Sequence, residues 1–145
     1  MSGKIMVDME TARKCALIAA KAADSKKASD IMVQEVGEVV SSTDFFVIST
    51  AVNNRQVAAI IEEIEEQVRV QTDLKPIHRE GLNDGTWALL DYGFMIVHVF
   101  QPEARDFYRL ETLWNDAPII DLKEAGINDV EYSDRIAKIL GEKQD

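Results

Sequence analysis

A single cysteine, Cys15, supplies all the thiol chemistry of this 145-residue chain. One thiol cannot close an internal disulfide or build a thiolate-clustered metal centre, and it suits a reducing compartment. The two histidines, His78 and His98, are not at metal-ligand spacing with each other or with carboxylates on one helix. The chain has no glycine-rich phosphate loop, no Gly-x-Ser-x-Gly elbow and no cysteine near a histidine in sequence. Asp44 precedes two phenylalanines, so carboxylates do not alternate there to hold two metal ions. Asp91 and His98 form an acid–base pair on paper, but neither a nucleophile nor an oxyanion donor accompanies them. No apolar run approaches the ~20 residues that span a bilayer. Met1 to Asp8 has neither a signal-peptide core nor the arginine-rich character of a transit peptide. These absences set an expectation of a cytoplasmic protein without a metal, another cofactor or a membrane partner.

Positive charge is also scarce. Lys plus Arg is 16 against 26 Asp plus Glu, a formal net charge of −10. Phosphate backbones call for a positive surface, so direct nucleic-acid binding is not expected. An acidic chain is better matched to a basic protein, whose approach it would steer. The plainer alternative is that the charge serves solubility alone. With 46% apolar residues, the chain can build the core of one domain.

Apolar spacing predicts a first helix over about Met9 to Ala23, with Asp8 as N-cap. Strands follow over Ile31 to Val36 and Asp44 to Thr50. The second, with Phe45-Phe46-Val47-Ile48 apolar on both faces, reads as central. A second helix covers about Arg55 to Val70, capped by Asn53 or Asn54. Val57, Ile60, Ile61, Ile64 and Val68 face inward; Glu62, Glu63, Glu65 and Glu66 form a solvated face. Three more strands are expected over Lys75 to Glu80, Thr86 to Tyr92 and Met95 to Gln101. Pro102 can start a helix running from about Glu103 to Trp114, with Arg109 as a point of breakage and Pro118 beyond its end. Phe107 and Leu110 share its core side by helical spacing. The expected fold is therefore a single-domain layered α/β structure with a mixed five-stranded sheet over residues 1–120. A polar tail, 121–145, carries a short helix over about Ser133 to Leu140.

A two-residue turn at Tyr92-Gly93 would place Asp91 opposite Phe94, Leu89 opposite Ile96 and Trp87 opposite His98. Those residues and Phe100 then share one face. Ala88, Leu90, Tyr92, Met95, Val97 and Val99 form the other, which reads as core. The first face mixes aromatic and polar side chains, as interface centres do. The alternative is that a helix covers it and His98 is a satisfied core histidine.

Several blocks, in order, resemble the ribosomal silencing factor family, the Iojap-related proteins. In the first half they are Asp24-Ser25-Lys26-Lys27-Ala28-Ser29-Asp30-Ile31, Thr43-Asp44-Phe45-Phe46-Val47-Ile48 and Asn54-Arg55-Gln56-Val57. In the second half they are Trp87-Ala88-Leu89-Leu90-Asp91-Tyr92-Gly93, Val97-His98-Val99-Phe100, Glu103-Ala104-Arg105-Asp106-Phe107-Tyr108 and Leu110-Glu111-Thr112-Leu113-Trp114. The resemblance covers about Met9 to Ile120. It implies a nucleotidyltransferase-like fold without the catalytic carboxylates. It also implies binding to large-subunit ribosomal protein number fourteen (the uL14 family), a steric block to subunit joining, and in some members a role in large-subunit assembly. Two departures stand out. Phe94 replaces the Asp that often follows the Asp-Tyr-Gly turn and would add apolar area beside the hairpin face. Thr50-Ala51 replaces the common Thr-Gly, so no glycine-dependent approach is required there.

Carried onto this chain, the resemblance implies a partner-binding set of Trp87, Leu89, Asp91 and His98, with Arg105, Tyr108, Glu111 and Trp114 from the following helix. Trp87 and Trp114 would be apolar anchors, and Asp91 and Glu111 would meet Lys or Arg. Arg105 has an internal ion pair as its alternative. The competing functions are a divergent nucleotidyltransferase and a homodimeric assembly factor.

Overall fold

A computed structural model of the chain describes residues 7–113, 117–128, 132–134 and 137–138. Helix α1 spans Met9–Ser25, and the Asp8 carboxylate accepts the Thr11 N–H at 2.7 Å as its N-cap. Its buried stripe is mostly alanine (Ala12, Ala16, Ala19, Ala20, Ala22 and Ala23 beside Cys15 and Ile18), so the helix can lie close to its neighbours. Strands β1 (Ser29–Glu35) and β2 (Phe45–Thr50) follow, then helix α2 (Asn54–Thr72). The Asn53 side chain caps α2 through the Gln56 N–H, and Val57, Ile60, Ile61, Ile64 and Val68 are its buried stripe. On its outer side Glu66 pairs with Arg69, and Glu65 with Arg79.

Strands β3 (His78–Glu80), β4 (Trp87–Asp91) and β5 (Met95–Phe100) complete a mixed sheet of order β1-β2-β5-β4-β3. Only β2 and β5 are parallel neighbours. Every residue of β2 is buried, as its double-sided apolarity requires. β3 is shorter than the expected Lys75 to Glu80, although the Ile77 N–H still reaches the Asp91 carbonyl at 2.7 Å. Among the described residues no helix is long and apolar enough to cross a membrane.

The hairpin corrects the expected turn. Tyr92 N–H donates to Met95 O at 2.8 Å, so the two loop residues are Gly93 and Phe94. Gly93 takes φ 86°, and its N–H is held at 2.7 Å by the Asp91 carboxylate. The pairs become Trp87 with Phe100, Leu89 with His98 and Asp91 with Ile96. Moving the turn by one residue shifts partners by two, so each strand keeps its face. Phe94 does leave its expected place. It is buried in the main core near Tyr92 and adds nothing to the other face. Ala51 is buried, with its N–H on the Phe100 carbonyl.

Helices α1 and α2 cover one side of the sheet and close the main core over Ile31, Val33, Phe45, Val47, Leu90, Val97 and Val99. The other side is covered over part of its area. Helix α3 (Pro102–Tyr108) ends where Arg109 adopts a left-handed φ of 47°, and α4 (Leu110–Leu113) sets off in a new direction. Ala104, Leu110 and Ala117 pack there on Val36, Phe46, Ile48 and Phe100.

The chain then returns to β1. Glu35 N–H donates to Pro118 O at 2.9 Å, Ile120 N–H donates to Val33 O at 2.8 Å, and Gln34 bridges Ile119. A 3-10 turn, Leu122–Ala125, follows. Beyond 120 the chain is not merely polar: Leu122 and Ile127 are buried in the main core, and Arg13 ties down Glu124 at 2.7 Å. Of the helix expected over Ser133 to Leu140, Ile136, Ile139 and Leu140 lie outside the described residues; Ala137 N–H reaches Ser133 O.

Candidate functional site

Strand alternation puts Trp87, Leu89 and Asp91 of β4 on the half-covered side of the sheet, beside Ile96, His98 and Phe100 of β5. Toward β2 this side is closed by α3 and α4. Toward β3 no described element covers it: Trp87, Leu89, Asp91 and Ile96 are half-buried, and His78, paired with Asp91, is exposed. The result is a strip of aromatic and aliphatic side chains along the margin of α3.

Aromatic rings dominate the strip. Trp87 stacks on Phe100 with centroids 4.9 Å apart and meets Tyr108 at 4.4 Å. Tyr108 is 46% exposed and contacts Phe107 edge-on at 5.0 Å. Phe107 is 79% exposed, against the expectation that it is core. The break at Arg109 explains this. On a continuous helix Phe107 and Leu110 would share a stripe, but the left-handed residue between them turns Leu110 inward and leaves Phe107 outside. Sequence spacing could have flagged Phe107 only had the break been used to split the stripe.

His98 is 5% exposed and belongs to the interior layer beneath the strip. Burial pushes its pKa down from 6.5 to about 3, so the imidazole is neutral near pH 7. Its Nδ1 accepts the Trp87 indole N–H at 3.1 Å, and Phe46 lies against the ring in a T-shape at 5.1 Å. Nε2 has no hydrogen-bond partner among the described residues. The alternative of a covered histidine therefore holds for its burial, and its one hydrogen bond goes to Trp87 rather than Asp91. Arg105 is buried too, with Nη1 donating to the Thr50 hydroxyl at 2.7 Å, so it works inside the fold rather than on the surface. The Glu111 backbone lies in α4, but its side chain and the whole of Trp114 are outside the described residues.

Cys15 is buried with its thiol pKa raised, its sulfur 3.9 Å from the Thr72 hydroxyl. Among the described residues no three of His, Cys, Asp and Glu converge as metal ligands.

Fold and face together define a small α/β protein whose distinctive chemistry is an aromatic surface strip. Comparison with known proteins supplies the family. Residues 9–142 match the family model described as ribosomal silencing factor during starvation. A ribosomal silencing factor of Bacillus subtilis is 38% identical over 111 residues, which is 77% of this chain and 92% of that protein. A mouse protein named for mitochondrial assembly of the ribosomal large subunit is 30% identical over 92 residues, 61% of this chain and 40% of its own length. A crystal structure from Chromobacterium violaceum superposes with a TM-score of 0.67 at 25% identity, covering 92% of this chain and 99% of that one. The chain belongs to the ribosomal silencing factor family. Such relatives are named as silencing factors and not as enzymes.

Proposed function

We propose that this protein represses translation by binding the large ribosomal subunit through its uL14-family protein and sterically blocking the small subunit. It acts in the cytoplasm by occupancy, without a catalytic step. The observation that carries this reading is the partly exposed aromatic strip of Trp87, Tyr108 and Phe107 on a sheet whose other side is closed by helices. Partly exposed tryptophan and tyrosine side chains on a firm backing are the residue types that dominate binding energy at protein interfaces. Leu89 and Ile96 extend the apolar area, and Asp91 lies at its edge. The net charge of −10 suits a basic ribosomal target and favours fast encounter at low salt. The family resemblance adds Glu111 and Trp114 to this partner-binding set. The mouse relative's name supports a second task in large-subunit assembly.

Co-sedimentation with purified large subunits tests the proposal. The wild type is expected to bind stoichiometrically and to slow subunit joining, while Trp87→Ala and Asp91→Lys lose binding. Absence of wild-type binding at moderate salt would refute ribosome binding, and retention by both variants would move the interface elsewhere. Sedimentation of the free protein over a concentration series would reveal whether the same strip instead pairs two copies.

A further inference from the structure

We infer that His98 is a positioning residue: it holds the indole of Trp87 in a single orientation on the docking strip and does not itself touch the partner. The inference rests on reading this strip as the docking surface. At 5% exposure, His98 cannot reach a partner unless the strip above it moves. What it does reach is Trp87, whose indole N–H donates to Nδ1 at 3.1 Å.

Stacking alone would leave the indole with a choice. Phe100 lies along it at 4.9 Å with an interplanar angle of 28°, and Tyr108 sits at 4.4 Å. A half-turn of the indole about its outer torsion, where Trp rotamers are broad and roughly two-fold, would still present a flat ring face to Phe100 while swinging the six-membered ring to the other side. An N–H···N bond is not indifferent, because the half-turn carries the donor away from the acceptor. The hydrogen bond therefore favours the pose that keeps the indole N–H on Nδ1.

The other imidazole nitrogen supports the assignment. With Nδ1 accepting, the ring proton sits on Nε2, which has no hydrogen-bond partner among the described residues. A buried donor left unmatched is unfavourable. The tautomer that the Trp87 hydrogen bond requires carries that cost. Phe46, T-shaped at 5.1 Å, and Phe100, nearly parallel at 6.0 Å, hold the imidazole in place. An anchor already fixed in its bound pose loses little rotamer freedom on docking, which is worth about three- to tenfold in affinity.

Loss of one of the two indole resonances in Trp87→Phe assigns the Trp87 signal, so that Trp114 stays in place. His98→Leu removes the acceptor, and His98→Asn returns one at the δ position. In the free protein, His98→Leu is expected to shift or split the Trp87 indole ¹H–¹⁵N resonance, with thermal melting confirming the fold. Affinity for purified large subunits should fall about three- to tenfold, mainly through faster dissociation. His98→Asn should restore both readings. An unmoved indole resonance with wild-type affinity in folded His98→Leu overturns the inference, as does failure of His98→Asn to restore the resonance. Should His98→Leu not fold, Trp87→Phe keeps a ring and removes the N–H, and wild-type affinity there overturns it equally. If the wild type does not bind subunits, the docking reading fails, while the indole resonance still decides whether His98 orients Trp87.

Discussion

The two sides of the sheet are built by different rules. The side under α1 and α2 is mainly aliphatic and closed, with Val33, Val47, Leu90, Val97 and Val99 against alanines and isoleucines of the helices and three aromatic rings, Phe45, Tyr92 and Phe94, among them. The side under α3 and α4 is aromatic, contains His98, Arg105 and Thr50, and is covered over part of its width. The first side supplies burial without direction, through area removed from water. The second uses oriented contacts such as the Trp87–His98 bond, which fix how a side chain points. The difference teaches that undirected burial and oriented contacts are separated by the thickness of one sheet.

The largest effect that sharpens this contrast lies on the closed side. Ile60→Ala, at a fully buried α2 position, should cost about 2–5 kcal/mol in urea unfolding and leave ribosome binding intact below the transition. Phe107→Ser, on the open side, should stay within about 0.5 kcal/mol of the wild type. Equal losses in the two variants would break the comparison.

Acid should find the half-covered side next. The folded imidazole of His98 is held at about 3, while the unfolded one titrates near 6.5. On acidification the unfolded chain binds the proton first. The stability linked to the neutral form is therefore complete above about pH 6.5 and is lost as pH falls toward 3. Subtracting the pH–stability curve of His98→Asn from that of the wild type should leave a difference on the order of a few kcal/mol across this window. A flat difference would show that His98 is not closed in.

A small effect of the opposite sign is expected at Tyr92, inside the closed core. Its hydroxyl has no hydrogen-bond partner among the described residues, and burial raises its pKa well above the usual phenol range. Tyr92→Phe should be neutral or stabilising by up to about 1 kcal/mol, because it removes an unmatched polar group and keeps the ring. A clear destabilisation by calorimetry would mean that the closed side also depends on a directed contact.

Regular periodicity made α1, α2 and β2 legible from sequence, together with the caps Asp8 and Asn53. The two faces of the hairpin were legible as well, although the turn was not. Gly93 marked the turn region, but the second loop residue is a buried phenylalanine, which local turn chemistry does not favour. The site was harder to read. Trp87 and Tyr108 could be named, but aromatic composition does not say which rings are covered. His98 and Arg105 went inside and Phe107 outside because tertiary packing and one left-handed residue settled matters that helical spacing left open.

The return of the chain along β1 also governs how copies of this molecule share a crowded solution. Strand edges are where chains recruit one another into growing sheets. Here one edge is occupied along Val33, Gln34 and Glu35 by the chain's own 118–120 segment, and the other is three residues long and carries His78, Arg79 and Glu80. Polymerisation through the first edge would require the molecule to surrender its own backbone pairing, and through the second it would have to dehydrate ionic side chains. Companionship is thereby steered away from main-chain templating, which accepts nearly any extended peptide, and toward the side chains of a face, which discriminate.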